Sequence, residues 1–216
     1  MELHIENNIL LGFKRDGRMW LNGEPEYMYL VVPDTVTAIA DFAFDGCKEI
    51  IGVTIPGSVR SIGKEAFFCC RNLREIVMEE GVETIGDSAF EMGFFGDSLI
   101  LPNSIRSIGA RAFNDTSIHT LHLPESLESI GPCAFGYCGM LSAVTIPDTV
   151  KNLPEDAFTH CFVLTEIKLP KRLIYLDETA FQMCYEIEKV WLPKHLKERA
   201  EATFRDVYPE VEYIYY

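Results

Sequence analysis

The residues best suited to chemistry in this 216-residue chain are seven cysteines and five histidines. A cysteine becomes a nucleophile beside a histidine base, and pairs of cysteines two residues apart make metal knuckles. Neither arrangement is written here. No Cys-x-x-Cys occurs, so zinc has no ligand frame. His160 and Cys161 are adjacent and diverge from the backbone, while His119 and His122, three apart around an extended segment, do not share a face. Cys47, Cys70, Cys138, Cys161 and Cys184 all stand three residues after a phenylalanine, as small apolar thiols filling one recurring core slot would. Disulfides between neighbouring slots would strain a regular stack. Cys69 and Cys133 fall outside that column, Cys133 at a position expected to be exposed, and they are the candidates for reactive thiols. The glycines keep the period of the repeat and do not form a phosphate-cradling loop. The sequence therefore assigns no catalytic, cofactor-binding or metal-binding residue and no cofactor.

What positions these residues is a repeat. One frame opens at Pro33, Pro56, Glu79, Pro102, Pro124, Pro147, Pro170 and Pro193, at a spacing of 23 residues that falls once to 22. In clear copies it reads P-x-x-(V/I/L)-x-x-(I/L)-G-x-x-A-F-x-x-C-x-x-(L/I)-x-x-(V/I/L)-x-(I/L). The twelfth position is phenylalanine in all eight copies, from Phe44 through Phe204, so the rings are expected to stack along one internal column. Alanine precedes it in seven copies, and Thr203 in the last marks a turn that differs.

Before each frame comes an apolar-x-apolar triplet such as Val53-Thr54-Ile55 or Val190-Trp191-Leu192. That alternation is a strand with one face buried, and one triplet per coil builds a parallel sheet. Proline ends the strand because it has no N–H for the ladder. The pair Val59 and Ile62 points inward from the opposite wall, glycine bends the chain at Gly63, Gly86, Gly109 and Gly131, and the Ala-Phe segment is too short for more than about one helical turn. No coil closes a core alone, so stability comes from stacking on neighbours.

Both open ends need caps. Residues 1–32 supply the first, with Ile9-Leu10-Leu11-Gly12-Phe13, a turn at Arg15-Asp16-Gly17 and the first solenoid strand at Tyr29–Val32. Residues 33–192 hold seven repeats, and 193–216 hold a degenerate repeat and the C-terminal cap, the whole forming one domain. In that cap Leu196, Ala200, Phe204 and Val207 share one helical face after Pro193, Pro209 stops the helix, and Val211–Tyr216 reads as a final strand.

This pattern resembles the leucine-rich repeats of the BspA-like family over about residues 30–215. The resemblance implies a right-handed solenoid with a parallel sheet on one face. The other face carries short strands, turns and 3-10 or short helical turns, and the C-terminal cap is the only regular α-helix. It also implies a non-catalytic module for adhesion to host or cell-surface proteins. From the residues themselves, no apolar run is long enough to span a membrane and the start has no secretory pattern, so the chain as written is expected in the cytoplasm. The alternative is secretion or the cell surface with a signal removed. Lys and Arg number 19 against 33 Asp and Glu, a net charge of −14, which repels nucleic acid and anionic lipid.

Specificity is then expected on the exposed sheet face, where the middle residue of each triplet meets solvent. A protein partner would contact Val77, Ile100, His122, Lys168, Lys189 and Trp191, with Trp191 among charges as an anchor. Phe94 and Phe95, in an irregular third repeat that lacks the usual Cys-x-x-Leu, either project beside Val77 and Ile100 or fill the vacated core. Two alternatives stay open. The chain would self-associate as a scaffold or homodimer through its C-terminal edge strand, or bind carbohydrate on Trp191, Tyr185 or Tyr175.

Overall fold

The computed structural model describes residues 2–13, 27–96, 98–205, 207 and 211–216. The proposed turn at Arg15-Asp16-Gly17 and the stop at Pro209 lie outside them. Each coil contributes a face strand built on its triplet, and nine such strands run parallel: Met28–Val31, Ile50–Ile55, Glu75–Met78, Ser98–Ile100, Thr120–His122, Ala143–Thr145, Glu166–Lys168, Lys189–Leu192 and Glu212–Tyr215. They form a three-stranded and a six-stranded sheet rather than one continuous sheet, because Glu75–Met78 and Ser98–Ile100 do not pair.

On the opposite wall each coil adds a two-residue strand. Ala38–Ile39, Ser61–Ile62, Thr84–Ile85, Ser107–Ile108 and Ser129–Ile130 pair in parallel, and Asn152–Leu153 pairs with Tyr175–Leu176. The buried isoleucine or leucine of each pair faces the core. At the N-terminus an antiparallel hairpin of Leu3–Glu6 and Ile9–Phe13 joins this wall, Leu10 pairing with Ile39, and Phe13 packs edge-on to Phe44 at 5.1 Å between ring centres.

The third corner, around Ala-Phe, is held by its own ladder. The Phe44 N–H donates to Ala66 O at 2.8 Å, and Phe67, Phe90, Phe113, Phe135 and Phe158 each donate likewise to the alanine of the next coil. This ladder forms because residues on either side of the phenylalanine take left-handed backbone conformations. They include Glu65, Ser88, Arg111, Cys133 and Asp156 two residues before it, and Cys69, Met92, Asp115, Tyr137, His160 and Met183 two residues after. Such φ values cost a non-glycine residue about 1–3 kcal/mol and persist only where surrounding structure enforces them. Here the N–H of each strained residue from Glu65 to Asp115, and those of Cys133, Tyr137 and His160, donates to a carbonyl of the next coil. The phenylalanine rings stack inside, 5.1–5.5 Å apart, from Phe44 to Phe181.

The bend glycines serve stacking rather than φ, since none of them has a positive φ. A Cβ on Gly131 would stand 2.5 Å from Ala110 N of the preceding coil. Only hydrogen lets two coils approach so closely.

In the third repeat, Phe95 is 4% exposed and packs edge-on to Phe90 and Phe113 at 6.0 and 6.1 Å, so it fills the space of the missing cysteine and leucine. Phe94 is 59% exposed. The larger side chain in a slot used elsewhere by Cys and Leu coincides with the break in the sheet, although Gly96 N–H still donates to Arg74 O at 2.8 Å. Beside it, buried Glu91 accepts from Arg111 Nε at 3.1 Å and from Asn114 Nδ2 at 3.1 Å.

At the C-terminus a 3-10 turn, Lys194–Leu196, leads into the Lys197–Thr203 helix. Leu196, Ala200 and Phe204 are buried against the last coil. The Phe204 ring is tilted 33° on Phe181 because Thr203 belongs to a helix there, donating its hydroxyl to Arg199 O.

All seven cysteines are free thiols. Cys70, Cys138, Cys161 and Cys184 are buried, and each Sγ–H donates to the carbonyl of the column phenylalanine one coil earlier, at 3.0–3.4 Å. Burial pushes Cys138 up to about 11. Cys133 is half-buried rather than exposed, because its left-handed backbone tucks it against the next coil, and that burial raises its thiol. Timed alkylation of the native protein at mildly alkaline pH, read by mass spectrometry, should label Cys69 first. The four buried column thiols should label only on unfolding; equal rates at all sites would contradict the packing.

Burial alone would raise the Glu91 carboxyl, but hydrogen bonds from Arg111, Ser88 and Asn114 outweigh it and hold the group below the ordinary 4.5. A carboxyl lowered in the fold adds stability that is present above 4.5 and is lost as pH falls through the folded value. Glu91→Gln should therefore flatten the fall in stability on acidification below that pH. A denaturation series in which wild type and Glu91→Gln lose stability in parallel would show that the pair contributes nothing there.

Candidate functional site: the solvent face of the sheet

Alternation along each face strand sends one side chain of the triplet outward while its neighbours enter the core. Parallel register then aligns the outward residues of successive coils. Val31, Thr54 and Val77 are aligned in the three-stranded sheet, Ile100 and His122 follow beyond the break, and Thr145, Lys168, Trp191 and Ile214 complete the row. The six residues expected to contact a partner therefore all lie on this one face.

The face is divided by chemistry. Its N-terminal half is apolar, with Val31 and Ile100 each 66% exposed and Val77 43% exposed. Tyr29, 63% exposed, lies in register with Gly52, where a Cβ would meet the tyrosine ring at 2.4 Å. The Cδ1–Cε1 edge of the ring thus lies over the glycine, and most of the side chain meets solvent. Tyr29 was not foreseen as a site residue, although a glycine inside a strand signals a close neighbour.

The C-terminal half is charged. Glu166 pairs with Lys189 in register and Lys168 with Trp191. The Lys168 ammonium stands 5.1 Å over the indole ring, which is half-buried between Lys168 and Ile214. Trp191 is consequently partly covered rather than a free ring. The other aromatic platforms are also engaged. Arg199 lies 5.3 Å over Tyr175, whose hydroxyl donates to Asp177 at 2.7 Å, and the Tyr185 hydroxyl donates to Met183 Sδ at 2.6 Å. The hydrogen bond to Asp177 raises the Tyr175 phenol. His122 is exposed on the face, His119 sits half-buried behind it, and Cys161 turns inward while His160 stacks on Tyr137 at 4.2 Å. Among the described residues no group of three or more His, Cys, Asp or Glu is placed to hold a metal, and no helix is long and apolar enough to cross a membrane.

With that geometry established, the chain compares with known proteins as follows. The BspA type leucine rich repeat region matches residues 24–141 and 95–211, in six copies. No curated protein sequence matches the chain. Among solved structures, the leucine-rich repeat protein of T. pallidum is 26% identical with a TM-score of 0.72, over 100% of this chain and 96% of that one. A leucine-rich repeat protein from Bacteroides ovatus is 20% identical with a TM-score of 0.59, over 89% of this chain and 63% of that one. A third, from Eubacterium ventriosum, is 20% identical with a TM-score of 0.52, over 74% and 55%. The parallel strands, the recurring Ala-Phe corner and the family match over most of the length lead to one conclusion: this chain belongs to the BspA-type leucine-rich-repeat family.

Proposed function

We propose that the chain is a non-catalytic protein-binding module of the adhesion type, which engages a host or cell-surface protein through the solvent face of its sheet. The observation that carries this reading is the exposed apolar group of Tyr29, Val31, Val77 and Ile100 on one face of successive coils. Large apolar side chains collected on a rigid, solvated face mark interaction sites. Lys168, Lys189, Trp191 and His122 extend the contact toward the C-terminal end, where paired charges select against the wrong partner.

A second reading is favoured by the position of Glu212–Tyr215 as the outermost strand of the six-stranded sheet. Its outer edge, unpaired among the described residues, would pair with a second copy, giving a scaffold or homodimer.

The test begins with affinity capture from host-cell and bacterial extracts, followed by measurement of the purified partner against native protein, Ile100→Glu and Lys168→Glu/Trp191→Ala. Both variants should keep the native melting temperature, and Ile100→Glu should weaken binding by about tenfold or more, as loss of a buried apolar contact does. Equal affinity for all three proteins would remove the sheet face as the binding site. Concentration-dependent size with no captured partner would establish the edge-strand reading instead.

A further inference from the structure

A second surface lies away from the sheet, on the corner that follows each column phenylalanine. The fold makes no demand on side-chain polarity there. The left-handed slot two residues after the phenylalanine holds Gly46 in the first coil and Asp115 in the fourth, and the slot two residues further on holds Lys48 and Arg71 in the first two coils. The third coil holds Met92 and Phe94 in these two slots, and in the fifth to seventh coils the corner is apolar in three coils running. Tyr137, Met140, Phe162, Val163, Met183 and Tyr185 occupy it, each exposed by 39–48%.

These side chains form a ridge along three successive coils. Tyr137 stacks on His160 with ring centres 4.2 Å apart, and His160 meets Phe162 edge-on at 5.7 Å. Phe162 lies against Gly139 of the preceding coil, and Met183 and Tyr185 follow one coil later, joined through the tyrosine hydroxyl. Since slots that accept Lys, Arg and Asp elsewhere do not need aromatic groups for folding, their recurrence in three successive coils indicates a contact surface.

The charges around the ridge indicate what would cover it. Glu155 and Glu178 occupy the same repeat slot one coil apart and are exposed, as is Glu186 beside Tyr185. Glu178 shares a cleft with Met183 and Tyr185, in which Arg205 is the one cationic lining residue among the described residues. In earlier coils Arg60, Arg106 and Arg111 pair with Glu83, Glu128 and Glu91, whereas among the described residues Glu155, Glu178 and Glu186 form no ion pair. A second copy, with its own net charge of −14, would press like charges together.

We propose that this ridge binds a cationic protein segment. Lysine or arginine side chains of the segment lie over the Tyr137, Phe162 and Tyr185 rings and pair with Glu155, Glu178 and Glu186. Their aliphatic stems and neighbouring apolar residues cover Met140 and Val163. The surface is separate from the sheet face and stands or falls independently of it.

The test is fluorescence anisotropy with a labelled peptide of alternating lysine and leucine, beside a glutamate–leucine peptide of equal length. The native protein should bind the first and not the second. Tyr137→Ser/Phe162→Ser, which leaves net charge unchanged, should weaken binding by about fivefold or more, as loss of cation–π contacts does. Glu155→Gln/Glu178→Gln should weaken it as well. Glu75→Gln/Glu212→Gln, which removes two charges from the sheet, should have no such effect. Circular dichroism and melting temperature check that each variant is folded, and because the two ridge variants are independent, either folded one suffices. The proposal is overturned if the lysine–leucine peptide does not bind, or if the sheet variant weakens binding as much as the ridge variants. It is equally overturned if light scattering reveals a dimer that the ridge variants abolish, since a second copy would then be the occupant.

Discussion

Every feature of this molecule depends on contact between one coil and the next. A single coil of about 23 residues encloses too little apolar surface to offset the entropy of ordering it. Stacking changes the balance, because each column phenylalanine is sandwiched by its neighbours, and removing one from a filled interior would cost about 3–5 kcal/mol. The same contact joins the backbones at three corners: the face strands, the two-residue strands opposite and the Ala-Phe ladder. The third corner is the least conventional. It accepts left-handed φ at residues as varied as Glu65, Tyr137 and Asp156, and it is stable because the strained residues that donate there do so to a neighbour rather than to water. The buried thiols follow the same logic, Cys70, Cys138, Cys161 and Cys184 each donating across the coil boundary.

Confining stability to the interior leaves the outward positions free to vary, and function follows from that division. On the sheet face the varied positions have become apolar in one half and charged in the other. On the opposite corner they are apolar in three successive coils, the fifth to the seventh, and again at Met92 and Phe94 of the third, and polar at Lys48, Arg71 and Asp115. The solenoid thus presents two long surfaces with different chemistry on one frame, and the two proposed contacts each use one of them.

The frame was legible because it is written eight times. Phenylalanine at the twelfth position, proline at the head of seven of the eight copies and a small residue before the ring all have single physical reasons, and each residue took the expected place. The C-terminal helix was readable from Leu196, Ala200, Phe204 and Val207, but it spans only Lys197–Thr203, so Phe204 and Val207 lie beyond it. Departures from the repeat carried less information. Phe94 and Phe95 are adjacent and identical, and only packing against Phe90 and Phe113 decides that the second enters the core. Without periodicity at Glu91–Gly96, the break in the sheet was invisible. The left-handed corner was hidden because glycine, its usual sign, occurs there only at Gly46. Of the sheet-face residues, Val77, Ile100, His122, Lys168, Lys189 and Trp191 followed from alternation. The cover that Lys168 lays on Trp191 and the resting place of Tyr29 on Gly52 depend on how one coil's side chains settle on the next, which the repeat does not specify.

The claim that the fold is held by inter-coil bonding at all three corners is tested most directly by hydrogen exchange resolved to single amides. The amides of Phe67, Phe90, Phe113, Phe135 and Phe158 lie in turns, where amides ordinarily exchange quickly. If the ladder carries stability, they should be protected to the same degree as Val53, Leu121 and Ile167 in the face strands, and should open together with them. Fast exchange at the phenylalanines beside slow exchange in the strands would contradict the account and leave the sheet alone as the element that holds the coils together.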